Sequence, residues 1–148
     1  MFFLADAGCS AILDTGCTKI CAGKQWVNTY INCLTEEQKE EIVESESNAM
    51  FSFGNGRKIV PDKKLMLPIK IGNVYCPLET EVIDSNIPLL LGQPSMKKAG
   101  VLLDVANCKA KFFGQDVELK KCKSGHFSVD ILPPPTSTKN VEYALGTS

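Results

Sequence analysis

The sequence has a single histidine, no two cysteines at Cys-x-x-Cys spacing, no apolar run of membrane-spanning length and no surplus of charge of one sign. A zinc knuckle needs clustered Cys and His ligands. His126 stands alone in a Ser-Gly-His-Phe turn, so no metal is expected, and no other cofactor. The longest apolar stretches fall well short of the ~20 residues that cross a bilayer. Nothing reads as a signal peptide, because Met1-Phe2-Phe3-Leu4 breaks at Asp6. The 16 Lys and Arg against 17 Asp and Glu give a net charge of -1. The pairs Lys63-Lys64, Lys97-Lys98 and Lys120-Lys121 are short and scattered, which suits solvated strand edges and helix ends. Neither nucleic acid nor a membrane is expected as a partner.

What is present points to one globular domain. A chain of 148 residues, 44% hydrophobic and 22% charged, is long enough to bury a core without disulfides. Its seven cysteines are odd in number and read as free thiols of a reducing compartment, so a cytoplasmic location is expected.

Trp26, Tyr30 and Leu34 recur every four residues with Val27 and Ile31 beside them, which predicts a short amphipathic helix after Gly23. Thr35-Glu36-Glu37-Gln38 is a capping-box pattern and predicts a second, acidic, solvated helix through about Glu44. From Met50 the texture changes to short strands. Asn55-Gly56 signals a tight hairpin, Leu65 to Ile71 a strand, and Val74 to Leu78 and Thr80 to Asp84 two more. Gln93 to Gly100, with Pro near its start and Gly at its end, predicts a helix of one or two turns. Val101 to Val105, Lys109 to Phe113, Val117 to Leu119 and Phe127 to Ile131 complete a mainly β domain over residues 1–132, with a helical insertion at about 23–48. The run Pro133-Pro134-Pro135 predicts a linker or tail over 133–148.

The most informative stretch is Ala11-Ile12-Leu13-Asp14-Thr15-Gly16. An apolar strand delivers a carboxylate to a tight turn, where burial costs several kcal/mol unless the group is paired or protonated. Asp-Thr-Gly also closes strands in ordinary turns. A second apolar run into glycine, Leu89-Leu90-Leu91-Gly92, favours the functional reading. A phosphate-binding loop is excluded: six residues separate Gly16 from Gly23-Lys24 instead of four, and Gln25 replaces the hydroxyl residue.

Over roughly residues 8–115 the sequence resembles the retroviral-type (retropepsin-like) aspartic proteases, and among them those of long-terminal-repeat retrotransposon Pol polyproteins. The likeness rests on Asp14-Thr15-Gly16, the hairpin at Gly54-Asn55-Gly56, the strand ending in Ile71-Gly72, and Leu90-Leu91-Gly92 followed by a short helix. It implies a closed acid-protease barrel of half-lobe type with a flap hairpin, acting as an aspartic endopeptidase on a polypeptide. The expected role is polyprotein processing, in virus-like particles where the chain is cut from such a precursor, as its abrupt start suggests. It also implies that Asp14 is catalytic, that Thr15 bonds across a dimer axis and that Gly16 gives room for close backbone approach. Ile12, Cys17, Thr18, Phe53, Gly54, Asn55, Gly56, Pro88 and Leu90 would contact substrate, while Leu91 and Gly92 support the loop. With one Asp-Thr-Gly per chain, the second carboxylate must come from another copy, and a homodimer follows.

Many members carry a small residue and then an acid after the glycine, where this chain has Cys17-Thr18. Cys17 reads as a buried, inert thiol, with oxidation sensitivity the alternative. Two other readings stand beside the protease: a silent or domesticated dimerisation and binding module of the same fold, and a cellular proteostasis protease such as that of a ubiquitin-shuttle protein.

Overall fold

The computed structural model describes residues 9–52, 56, 58–123 and 125–135, and its architecture is mainly β. Its spine is the hairpin of β6 (Lys63–Ile71) and β7 (Val74–Ile83), joined by the two-residue turn Gly72-Asn73. Gly72 takes φ +60° while Asn73 stays negative, as the type II′ turn that matches strand twist requires. The sequence predicts two strands, Val74 to Leu78 and Thr80 to Asp84, yet β7 runs unbroken through Glu79. Counting back from the turn, pairs alternate between hydrogen-bonded and non-bonded positions. Pro68 faces Pro77 at a non-bonded position, so neither missing N–H interrupts the ladder.

Around this hairpin an eight-stranded sheet runs in the order β12-β13-β1-β8-β2-β7-β6-β3. It comprises β1 (Ser10–Leu13), β2 (Cys21–Gly23), β3 (Val43–Ser45), β8 (Leu89–Leu91), β12 (Lys120–Lys121) and β13 (Phe127–Asp130). The expected closed barrel does not form among the described residues. The outer edge of β6 meets the end of β13 through one main-chain bond, Lys70 N–H to Ile131 O at 2.8 Å. The next outward-facing position on β6 is Pro68, which has no donor. Beyond Ile131 the chain soon reaches Pro133 and Pro134. Tyr30 fills the gap: its hydroxyl donates to Pro68 O at 2.7 Å and lies 3.3 Å from Ile131 O. Burial holds that phenol above its ordinary pKa, so it remains a donor.

The predicted helix is α1 (Lys24–Cys33), with Trp26, Val27 and Tyr30 buried and the Trp26 and Tyr30 rings stacked 4.9 Å apart. The capping box at Thr35 and Gln38 is present, but α2 (Glu36–Lys39) stops there instead of running to Glu44. Val43–Ser45 forms β3 on the free edge of β6, where Met66 resumes the outward-facing donors, and a Lys63–Glu44 ion pair of 2.9 Å reinforces it. Tertiary pairing here outweighs local helix preference. Gln38 is buried and donates to Pro133 O at 3.3 Å and Pro134 O at 3.0 Å, so the start of the proline run is held against the domain.

Strands β4 (Phe51–Ser52) and β5 (Lys58–Ile59) pair as the expected hairpin, with Ser52 opposite Lys58. The Asn55-Gly56 turn expected between them lies, but for Gly56, outside the described residues. After β8 come α3 (Gln93–Lys98) and a three-stranded sheet of β9 (Leu102–Asp104), β10 (Lys109–Phe112) and β11 (Gln115–Glu118), with β9 at its edge. Ala110 and Phe112 alternate into the core, whereas all three residues of β9 are exposed. Among the described residues no helix is long and apolar enough to cross a membrane.

Candidate active site

Three strands position Asp14. β1 runs parallel to β8 with Leu13 opposite Leu91, and β2 flanks β8 on its other side through Cys21 and Leu90. The loop from Asp14 to Ile20 must therefore pass over the end of β8. Asp14 N–H donates to Leu91 O at 3.0 Å, and Gln93 N–H to Cys17 O at 2.9 Å, which fastens the loop at both ends of Gly92. Only glycine fits there: a Cβ on Gly92 would stand 2.6 Å from Cys17 O and 3.1 Å from Lys19 O.

Within the loop, Gly16 N–H donates to Asp14 Oδ1 at 3.0 Å and Cys17 N–H to Asp14 O at 3.1 Å. This aspartate-anchored turn fixes the carboxylate by its own backbone. No ion pair to Asp14 is found among the described residues. The side chain is half-buried, with Thr15, Gly16 and Thr18 exposed around it.

Asp14 and Thr15 line the rim of an open cleft of about 410 Å³. Leu13 continues one wall. Gln93, Met96 and Lys97 of α3 form a second, Val101 and Leu103 a third, and Gly125, His126 and Phe127 the last. The sequence reading assigned none of these opposing residues to the site. The run Val101 to Val105 reads as a strand, and in the structure its Leu102 is 66% and its Leu103 46% exposed. The apolar Met96 within the predicted helix was the one legible sign that α3 turns a face inward.

The other expected site residues separate into three groups. Ile12 and Leu90 are buried, 0% and 3% exposed, with Pro88, Leu91 and Gly92 buried beside them. As central strand residues, Ile12 and Leu90 are core side chains and do not line the Asp14 cleft. Gly56 is exposed at φ +77° near the hairpin tip. Phe53, Gly54 and Asn55 lie outside the described residues.

Cys17 departs from the buried, inert thiol that was expected. It is partly exposed, its Sγ lies 2.7 Å from Lys19 O and 3.9 Å from Cys21 Sγ. The hydrogen bond with Cys21 is the largest influence and pushes Cys17 down to about 7; burial opposes it, and backbone hydrogen bonds from Lys19 and Thr18 assist. The same contact, then burial, pushes Cys21 up, so the pair sheds its first proton at Cys17. Among the described residues no group of three or more His, Cys, Asp or Glu is placed to hold a metal ion.

No family model matches the chain, and no curated protein matches it. Among solved structures it is similar to the crystal structure of the retroviral protease-like domain of Ddi1 from Leishmania major, at 16% identity over 86% of each chain, with a TM-score of 0.48.

Proposed function

We propose that the chain is one half of an aspartic endopeptidase, completed by a second copy. The observation that carries this reading is a half-buried carboxylate on a rigid, glycine-dependent loop, held by the Gly16 amide and facing an open apolar cleft. A single carboxylate lacks the paired acid and base that amide hydrolysis requires without a nucleophilic side chain. A symmetric dimer supplies them, with two Asp14 side chains on the axis.

Two carboxylates about 4 Å apart repel by ~4 kcal/mol at an effective dielectric near 20, so the pair keeps one proton between them. This is the effect for which aspartic protease dyads are known. The ionised carboxylate takes a proton from water as the water oxygen bonds to the scissile carbonyl carbon. The protonated one gives its proton to the carbonyl oxygen. Collapse of that tetrahedral species, with a proton delivered to the amide nitrogen, breaks the C–N bond.

In this reading Thr15 bonds across the axis. Thr18 and the hairpin tip, Phe53 to Gly56, hold an extended peptide by strand addition. Leu103 of β9 faces the second copy, since it is exposed and shares the cleft with Asp14. The substrate implied by the sequence resemblance is a retroelement polyprotein. Digestion of an unfolded polypeptide library and of the chain's own flanking junctions, at mildly acidic pH, tests both levels. Native protein should cut and bind pepstatin-like transition-state mimics, while Asp14→Asn should fold, sediment as native protein does and cut nothing. Cleavage that survives Asp14→Asn would sink the proposal. Cleavage of library peptides but not of the junctions would leave an aspartic peptidase acting on cellular polypeptides.

A further inference from the structure

We propose that Cys17 and Cys21 form a reversible dithiol switch on the loop that carries Asp14. As a regulation of that site, this rests on Asp14 being the active-site acid. The two Sγ atoms lie 3.9 Å apart, and a disulfide needs about 2.0 Å. One side must move. Cys21 is fully buried at the start of β2, its backbone paired with Glu81 on one side and Leu90 on the other. Cys17 sits in the loop, partly exposed, with its thiol directed at Lys19 O. Closure therefore draws Cys17 inward and away from Lys19 O.

That displacement cannot stay local. The backbone of Cys17 is tied through its N–H to Asp14 O and through its carbonyl to Gln93 N–H, and Gly92 leaves no slack beneath it. Pulling the side chain inward strains the turn in which Gly16 N–H holds Asp14 Oδ1. Oxidation thus acts on the carboxylate's position without touching the carboxylate.

The chemistry divides between the two thiols. Cys17, partly exposed and readily ionised, is the attacking group, and the buried Cys21 resolves it. With a hydroperoxide as oxidant, the Cys17 thiolate attacks a peroxide oxygen and the O–O bond breaks, giving Cys17 sulfenic acid and water after protonation. Cys21 sulfur then attacks the sulfenic sulfur, and the expelled hydroxide leaves as water with the Cys21 proton. Two thiols and one hydrogen peroxide give one disulfide and two waters, the thiols losing two electrons. A small dithiol reductant reverses the step by exchange.

The test treats folded native protein and Asp14→Asn with hydrogen peroxide and maps disulfides after trypsin digestion. Trypsin cuts after Lys19 and Lys24, so the disulfide joins peptide 20–24 to the peptide ending at Lys19, and fragmentation of that peptide between Cys9 and Cys17 places the bond at Cys17. The linked peptide should form in both proteins and disappear on reduction. Cleavage by native protein should fall ~10-fold or more, as misplacing a reacting group by about an ångström does, and recover with reductant. Cys21→Ala should keep cutting in the same peroxide; the mapping on native protein decides the matter should that variant fold poorly. Direct conversion of Cys17 to sulfinic or sulfonic acid, or linkage of other cysteines alone, overturns the proposal, as does a linked protein that cuts as fast as the reduced one. If native protein cuts nothing in either state yet the link forms, the peptidase reading fails and the switch is judged by hydrogen exchange at the Gly16 amide. Faster exchange upholds it and unchanged exchange overturns it.

Discussion

Gly92 and Cys17 are in backbone contact so close that no side chain can come between them: a Cβ on Gly92 would lie 2.6 Å from the Cys17 carbonyl. That carbonyl also accepts from Gln93, the residue after Gly92, so strand β8 and the Asp14 loop are locked as one unit.

Gly92→Ala should therefore cost ~1–3 kcal/mol of stability by overpacking, and should lower kcat/KM beyond what the lost folded fraction explains. Urea denaturation followed by peptide cleavage measures both. Wild-type stability with wild-type kinetics would show that the loop tolerates the intrusion.

Tyr30 bridges the two flanks of the sheet where a ladder cannot form. Tyr30→Phe leaves the buried Pro68 carbonyl without its donor and should cost ~1–3 kcal/mol, with kcat/KM per folded molecule unchanged. A loss in the ordinary scatter of surface changes, under ~0.5 kcal/mol, would mean that the hydroxyl is not what joins Pro68 to Ile131.

Leu103 is 46% exposed and shares the cleft with Asp14. Leu103→Glu should leave the thermal midpoint nearly unaltered while it weakens self-association and cleavage together. Sedimentation across a concentration series, with activity measured on the same samples, is the check. A variant that dimerises normally would move the second copy to another face.

Alkylation should separate the cysteines by pH. Cys17 is pushed down to about 7 by its bond with Cys21, whereas burial, then Cys33, pushes Cys9 up to about 11. A thiolate is the reactive form. Iodoacetamide labelling of Cys17 should therefore rise through neutral pH, while Cys9 stays largely unmodified until well above it. Cys9 labelling first at neutral pH would reverse the assignment.

Much of this architecture was legible in local pattern. The spacing of Trp26, Tyr30 and Leu34 marked α1, the Thr35 box marked the start of α2, and the two apolar runs into glycine marked the strands that meet at Asp14. What was not legible depended on partners distant in sequence. Val43–Ser45 left its helical context for a free edge of β6 that no local pattern announces. Among the described residues the barrel stays open where Pro68 occupies the outward position at which the next bond to the β13 flank would form. The family resemblance implied that Ile12 and Leu90 line pockets, whereas a parallel β1–β8 pair at the centre of a sheet buries both. Val101 to Val105 was legible as a strand, but not as the edge strand that leaves Leu102 and Leu103 exposed, because edge position depends on which strands pair beside it.

The central claim is that each copy contributes one carboxylate to a shared site. Mixing native protein with Asp14→Asn under conditions of subunit exchange tests it most directly. With native concentration held constant, an equal amount of Asp14→Asn should cut activity to about half, because half the native subunits then sit opposite a partner lacking the acid, and larger excesses should drive it toward zero. Activity that stays constant at every excess of Asp14→Asn would mean that one chain carries a complete site.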